Sequence, residues 1–426
     1  MLGGVNVPAD SSLRIARLVI SNFRTFHGPT EIPLSAGGVA DAMPVFHGGN
    51  GAGKSNAIAA IEWFFEVASY WMSLRIHLDS DDLPLSWNER DAGLQISPRD
   101  WPPGVRDPQL IEVTFANGIR LRTVLTPAGK HVIVRLEQVA PDGQGVPLAK
   151  GVVMHPRFAA LRNMIETPHG PSSRALFHLD ARRRADRGGA APTTTLSDEI
   201  SKDLFALATS LDPTDTERWR AFMALVGKFE TLRGREVSIV QVDGVADLRF
   251  EIRGRQILRL SELSSGEQQV VAMCAAALTS RAAIVAIEEP EISLHPDNQE
   301  LMRDILLEQV RSGLVDQIIL ESHVPTFDGP EVLRFSRSPE GSTSVERQPS
   351  NANDEVRARA KEAGAQEQWV TRDGYTRLPK EMRDDLGLHG GGYLWFLRSG
   401  PESRWQAWTA DQLDEMFGWK DREPEG

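Results

Sequence analysis

The sequence predicts an α/β fold: a helix-flanked sheet joined to an antiparallel β lobe and a helical subdomain, with a small β-rich module at the C-terminal end. Three observations predict it. Short apolar runs at 282–287 and 317–320 alternate with helix-like stretches at 267–278 and 297–312, the order expected of a sheet with helices packed on it. A glycine-rich loop from Gly48 to Ser55 stands between a strand-like run and a helix-like run. Between Leu110 and Val139 apolar residues recur with period two, interrupted by Asn117-Gly118 and Ala128-Gly129, which reads as antiparallel hairpins.

Taken in order, Ile15, Leu18, Ile20 and Phe23 mark a first strand and turn within Leu13 to Phe26, and Met43 to Phe46 is a short buried strand. Ile58, Ile61, Phe64, Phe65 and Val67 then give Ala57 to Val67 an apolar helical face. Residues 69–109, rich in Asp, Pro and Trp, read as an irregular insertion, and 110–150 as the β lobe. Ala175 to Leu179 is a further buried strand, Leu196 to Leu232 is helical by pattern, and Val237 to Leu258 pairs strands around Asp243-Gly244 and Arg253-Gly254. Composition shifts to Ser, Pro, Glu, Asn and Ala over 336–367, which reads as a linker with a short helix. The expected domains are therefore 1–335, a linker at 336–367 and a Trp-rich module at 368–426. No internal repeat and no long heptad array is present.

Composition narrows the function. A net charge of −12 argues against coating nucleic acid by bulk electrostatics, so any DNA contact must be local. The densest basic run is Arg182-Arg183-Arg184-Ala185-Asp186-Arg187, a pattern more common in solvated loops than in binding sites. The single cysteine, Cys274, lies in an apolar run and reads as a packed core thiol in a reducing compartment. With neither a secretory leader pattern nor a membrane-length apolar stretch, the expectation is a cytoplasmic protein without a membrane partner.

Gly48-Gly49-Asn50-Gly51-Ala52-Gly53-Lys54-Ser55 fits G-x-x-x-x-G-K-[ST] in the strand-to-helix setting that motif needs. Its glycines let backbone N–H groups curl around a phosphate at a helix N-terminus. Lys54 neutralises the β and γ oxygens, and the Ser55 hydroxyl meets Mg²⁺. Ala283 to Ile287 is an apolar strand ending in Glu288 and Glu289, an arrangement that sets one acid near the metal and the next near an attacking water. Leu263-Ser264-Ser265-Gly266-Glu267-Gln268-Gln269 opens a helix, and His323 follows the strand Ile318-Ile319-Leu320 in Glu321-Ser322-His323-Val324-Pro325. Singly, these last two read as a helix cap and a loop histidine.

In this order and spacing the set resembles the ABC-type P-loop ATPases, in particular the compact prokaryotic AAA branch similar to RecF and to the ATPase half of OLD-family proteins, over roughly residues 13–335. The resemblance implies ATP and Mg²⁺ as cofactors. It makes Asn50, Gly51, Ala52, Gly53, Lys54, Ser55 and Asn56 nucleotide-binding, with Arg24 in the adenine-side loop Asn22-Phe23-Arg24. Ser264, Ser265 and Gly266 would be the signature that meets the γ-phosphate bound to a partner subunit. Glu289 would be the catalytic base, His323 the switch histidine, Ser55 and Glu288 the metal side, and Glu291 to Pro296 the loop communicating across the dimer. Two departures stand out: the metal-side acid is Glu288 where Asp is usual, and the glutamine expected near residue 180 is missing, leaving His178 and Asp180 as candidates. The partners implied are a second copy in an ATP sandwich, a homodimer or higher homo-oligomer, and an effector protein encoded nearby.

The tail, from Trp369 through the Asp373-Gly374 turn, Leu378-Pro379-Lys380-Glu381-Met382-Arg383 and Leu386-Gly387-Leu388 to Tyr393-Leu394-Trp395-Phe396, resembles the swapped-hairpin AbrB/MazE fold. There Arg372, Arg377, Lys380 and Arg383 could meet DNA phosphates, and the bland alternative is a dimerising β module. The roughly 210 residues between phosphate loop and signature exclude coiled-coil arms, and the roughly one hundred residues after His323 read as too few for a C-terminal nuclease domain beside the linker and terminal module. The expected function is an ATPase that hydrolyses ATP at a composite dimer interface and regulates a nuclease or toxin supplied in trans, as in anti-phage defence. The alternatives are a DNA-binding repair or transcription-regulatory ATPase, and a scaffold with slow turnover.

Overall fold

Strand β15 (Ala282–Glu288) is buried over six of its seven residues, the signature of a parallel strand covered on both faces. It belongs to a six-stranded sheet ordered β11 (Arg174–Leu179), β15, β16 (Gln317–Glu321), β5 (Val45–Gly48), β17 (Glu331–Arg337), β18 (Thr343–Pro349). The first five strands run parallel and β18 returns antiparallel to β17. Successive side chains face opposite sides of a strand, so this sheet divides its apolar residues between two cores. Phe46, Ile284, Ala286, Ile319 and Leu333 join the core that contains the buried face of α1 (Lys54–Ser73). Val45, Val285, Ile287, Ile318, Leu320 and Val332 join the core that holds α5 (Ser265–Thr279) and α6 (Pro296–Arg311). Two covered faces explain why these strands read as unbroken apolar runs.

The structure is a computed structural model. It describes residues 12–73, 83–86, 97–129, 131–147, 156–168, 174–180, 196–252, 256–279, 281–349, 378, 380–388, 394–399, 404–408 and 412. The chain divides into two units, Met1–Asn351 and Ala352–Gly426.

In the first unit the β lobe is an antiparallel sheet ordered β10 (Gly145–Pro147), β9 (His131–Val139), β8 (Arg120–Ala128), β7 (Gln109–Phe115), β1 (Ile15–Ser21), β2 (Thr30–Pro33), with β6 (Leu83–Ser86) pairing β9 over His131–Val134, on the edge that β10 takes further along. The lobe expected at 110–150 therefore also takes in the first two strands and a strand of the supposed irregular insertion. That insertion is shorter than 69–109: α1 continues to Ser73, β6 lies within it and β7 starts at Gln109. A two-stranded hairpin of β3 (Ser35–Ala36) and β4 (Val39–Ala40) follows β2, and α2 (Pro156–Glu166) packs against α1 and β11.

Helices α3 (Leu196–Thr209) and α4 (Pro213–Val226) form the helical subdomain with α5. Beside it lies the three-stranded sheet β12 (Arg235–Val242), β13 (Val245–Ile252), β14 (Gln256–Arg259). Asp243 (φ 51°) and Gly244 (φ 81°) turn the β12–β13 hairpin, the two positive φ values that a tight two-residue hairpin demands. Cys274 is fully buried in α5, and burial pushes its thiol up to about 12, so it is an inert core residue.

The linker expected at 336–367 is corrected at its start. Strand β17 extends to Arg337 and β18 occupies Thr343–Pro349, so the first unit's sheet continues to Pro349. Strand β18 is an edge strand of mixed burial, which removes the apolar signal that marks its neighbours.

Within the second unit the structure describes a helix α7 (Lys380–Asp385), Gly387 at φ 70°, and an antiparallel hairpin of β19 (Trp395–Ser399) and β20 (Arg404–Trp408). The tail segment 368–377 with Trp369, Arg372 and Arg377, then Tyr393, the basic run 182–187 and the Arg253-Gly254 turn lie outside the described residues. Among the described residues no helix is long and apolar enough to cross a membrane.

Candidate functional site

Five parallel strands place their carboxyl ends on one side of a sheet, and in open α/β sheets that is where ligands bind. Here β5 ends at Gly48, β11 at Leu179, β15 at Glu288 and β16 at Glu321. The phosphate loop, His178, Glu288, Glu289, Glu321 and His323 lie at or close to these ends.

The loop after β5 curls back through Gly51 (φ 76°) and Gly53 (φ 105°), and α1 starts at Lys54. Glycine at 53 is required twice over: φ is left-handed, and a β-carbon there would collide with the Thr343 hydroxyl. The Lys54 ammonium is buried and donates to the carbonyls of Gly48 (2.9 Å) and Gly49 (3.2 Å). Thr343, at the start of β18, donates its hydroxyl proton to the Ala52 carbonyl (3.0 Å) and accepts from the Thr25 hydroxyl (2.8 Å), whose oxygen accepts from Asn56 Nδ2 (3.0 Å). One hydroxyl network thus joins the phosphate loop, the loop after β1 and the terminal hairpin of this sheet. Asn50 sits exposed in the loop.

In the loop after β1, Asn22 and Arg24 adopt positive φ (57° and 49°). The Arg24 backbone N–H donates to the Asp100 carbonyl (2.8 Å) and its guanidinium Nε to the Asp100 carboxylate (3.2 Å), while Asn22 Nδ2 donates to the Pro108 carbonyl (2.9 Å). Arg24 is therefore held at the edge of the phosphate loop through Thr25 and Asn56, with an acidic partner of its own.

Glu288 and Glu321 are register partners at the ends of adjacent strands. Glu321 is the residue that sequence reasoning left unassigned. Its carboxylate accepts from the Ser55 hydroxyl (2.8 Å) and lies 3.4 Å from Lys54 Nζ. Burial pushes the Glu321 carboxyl up, Ser55 and Lys54 pull it down, and neighbouring Glu288 pushes it further up. Ser55, placed on the metal side together with Glu288, is thus bonded to Glu321, because β16 and not β15 is the strand beside β5. Glu288 instead lies 3.2 Å from His178 Nε2, and His178 Nδ1 lies 3.2 Å from Glu62 on α1. Burial alone would lower the His178 pKa, but the bonds to Glu288 and Glu62 outweigh it and push it up to about 9.

Glu289 takes a left-handed backbone (φ 46°) and its N–H donates to the Glu321 carbonyl (2.7 Å). This kink aims its carboxylate at His323, 3.4 Å from Nε2. One ligand atom each from Glu289, Glu321 and His323 fall within 4.8 Å of one another. The two carboxylates of this group supply the oxygen donors that a hard divalent cation takes, and His323 adds a nitrogen. Glu291 accepts from the His323 backbone N–H (2.7 Å) and the Ser322 hydroxyl (3.0 Å), and burial raises its carboxyl against them.

Ser264, Ser265 and Gly266 open α5. Ser264 and Glu267 cap the helix reciprocally: the Glu267 carboxylate accepts from Ser264 N (2.9 Å) and Oγ (2.8 Å), and the Glu267 N–H returns to Ser264 Oγ (3.4 Å). A β-carbon at Gly266 would stand 2.6 Å from the Ser293 carbonyl, so glycine lets α5 lie against the 291–296 loop. Ser264 and Ser265 are exposed, and Ser264's hydrogen bonds stay within the cap and first turn.

Residues 167–328 match the family described as AAA domain, putative AbiEii toxin, Type IV TA system. That stretch holds the signature, Glu288, Glu289 and His323; the phosphate loop precedes it. Residues 167–328 are thus similar to an AAA-type ATPase domain. Over 95 residues it is 37% identical to the phosphonates import ATP-binding protein PhnC 2 of Pseudomonas savastanoi pv. phaseolicola, covering 22% of this chain and 31% of that protein. The PhnC 2 of Pseudomonas syringae pv. syringae is 39% identical over 89 residues, 21% of this chain and 28% of that protein. The chain thus spans under a third of the length of these curated relatives. Among solved structures, the SMC head domain from Thermotoga maritima aligns with a TM-score of 0.43 at 16% identity, over 79% of this chain and 99% of that one. The Smc head domain bound to the C-terminal domain of ScpA from Pyrococcus furiosus aligns at 0.42 and 14%, over 83% and 100%.

Proposed function

We propose that this chain binds ATP with Mg²⁺, hydrolyses it in composite sites between two head-to-tail copies, and thereby gates a nuclease or toxin supplied by another chain in anti-phage defence. The observation that carries the reading is the meeting of Lys54, Ser55, Glu321, Glu289 and His323 at the carboxyl ends of β5, β15 and β16. Lys54 and the loop N–H groups bind the β and γ phosphates. Ser55, Glu288 and Glu321 hold the cation, which neutralises charge on the phosphates when bound. Glu289 orients the attacking water and takes its proton, and His323, in contact with Glu289, senses the γ-phosphate.

Two features favour the sandwich. The signature helix start is exposed, and it is pre-shaped by its own capping box. Gly266 also ties it to the 291–296 loop that begins beside the acids, giving each subunit's signature a path to its own hydrolytic groups. The effector reading draws on the matched family's description as a putative toxin of a type IV toxin–antitoxin system. The C-terminal unit, with α7 and the β19–β20 hairpin, is read as a dimerising or partner-docking module. Co-purification of the tagged chain with the products of neighbouring genes tests the effector claim: an ATP-dependent protein partner is expected, and a chain that stays alone with and without ATP contradicts it.

A further inference from the structure

Two carboxylates at register positions on adjacent strand ends repel each other, and each needs its own positive or donor partner. Glu321 has Lys54 and Ser55. The partner of Glu288 comes from the other side of β15. In the parallel β11–β15 register His178 stands opposite Ala286, two residues before Glu288 and on the same face of the sheet, so its ring leans along the strand toward that carboxylate. The same face is covered by α1, where Glu62 lies seven residues and two helical turns beyond Ser55. The imidazole bridges them, Nδ1 to Glu62 at 3.2 Å and Nε2 to Glu288 at 3.2 Å, with all three side chains largely shielded.

We propose that His178, held by Glu62, is a positioning residue that fixes the Glu288 carboxylate for the cation of the nucleotide site, and that His178 is not itself a cation ligand. Both ring nitrogens are already engaged by carboxylates, Nδ1 by Glu62 and Nε2 by Glu288, so neither is turned toward a cation. A carboxylate that holds a metal is itself oriented by such an outer partner, whose removal typically costs ~10–100-fold in metal affinity. The chain Glu62–His178–Glu288 also ties the helix that carries the phosphate loop to the strand that carries the acids, so cation binding and the position of α1 are coupled. The inference rests on the nucleotide-site reading above.

The test has two arms. In metal-free protein, thermal unfolding of Glu62→Gln, His178→Gln and the double variant reads the contact itself: the double variant is expected to lose little more than His178→Gln alone. Strict additivity overturns the bridge, whether or not the chain binds nucleotide. In the second arm, Mn²⁺ binding with a non-hydrolysable ATP analogue is followed by electron paramagnetic resonance. His178→Ala is expected to weaken Mn²⁺ by ~10–100-fold, His178→Gln to recover part of it by donating to one carboxylate, and nucleotide affinity in EDTA to stay as in the wild type. Unchanged Mn²⁺ affinity overturns the proposal, and so does a directly bound ¹⁴N coupling in the wild type that vanishes in His178→Ala. Failure of the nucleotide-site reading shows differently, as a wild-type chain that binds no analogue at all.

Discussion

Lys54 is 3% exposed and bonded to two loop carbonyls beside Glu321, whereas Ser265, expected to reach the same phosphates from across a dimer, is exposed at the start of a helix that caps itself. The two halves of the proposed site are built differently. The phosphate-loop half is a mesh in which each group holds another: Ser55 on Glu321, Glu289 N–H on the Glu321 carbonyl, Glu289 on His323, Thr343 on Ala52 and Thr25. The signature half takes its shape from the Ser264–Glu267 cap, with Arg235 on Glu267 and Gln268 on the Leu263 carbonyl. Changes to the bonded mesh of the first half should therefore act within one subunit's own site, on binding or on chemistry according to the group removed, while changes at exposed signature positions should act through closure on a partner and leave the subunit's fold intact.

The largest effect separates chemistry from binding inside the first half. Glu289→Gln should lower the turnover number by ~10²–10⁴-fold, the range of a lost general base, while retaining ATP and accumulating dimer. Steady-state turnover with nucleotide retention measures it; undiminished turnover removes Glu289 from that role. Next comes Lys54→Ala, which deletes a buried cation with two loop bonds and leaves Glu321 uncompensated. Nucleotide affinity should fall roughly 10–100-fold, read by titration of a fluorescent ATP analogue, since a hydrogen bond to a charged group is worth about 1.5–3 kcal/mol. Unchanged affinity would sink the phosphate assignment.

Within the signature half the structure splits neighbouring residues. Gly266→Ala places a β-carbon 2.6 Å from the Ser293 carbonyl and should cost about 1–3 kcal/mol in urea unfolding. Ser265→Arg, at an exposed position, should cost little. Equal losses would mean that Ser265 is not open as described.

The smallest effect concerns pH. The His178 pKa is raised from 6.5 to about 9 in the folded chain, so the folded state holds this proton more tightly than the unfolded one. Its contribution is fully present below about pH 6.5 and is lost as pH rises through about 9. The stability difference between metal-free wild type and His178→Gln should shrink across that window; a difference that grows with pH would contradict the assignment.

Much of the fold was legible because it is local. The strand–glycine loop–helix at 43–67 announces itself through residue types at fixed offsets, and the unbroken apolar run of β15 reports a strand covered on both faces. The Asp243-Gly244 hairpin is equally local. What stayed hidden depends on strand order. Glu321 ends an apolar strand as Glu288 does, yet only the order β15-β16-β5 tells which acid stands beside the phosphate loop. Thr343 was invisible for a related reason: it meets Thr25 across 318 residues, from an edge strand whose mixed burial reads as a linker. The pairing of β1 with β7 that draws the first strand into the lobe is likewise non-local.

The composite site is the central claim, and subunit mixing tests it most directly. Lys54→Ala and Ser265→Arg chains are each expected to be inactive alone, the first for want of a phosphate grip and the second because its signature cannot close on a partner. A mixed dimer holds one site built from an intact phosphate loop on the Ser265→Arg chain and an intact signature on the Lys54→Ala chain. ATP turnover should therefore recover in part on mixing, with a maximum near equal proportions. Mixtures that stay inactive at every ratio while the two chains demonstrably co-assemble would contradict the account.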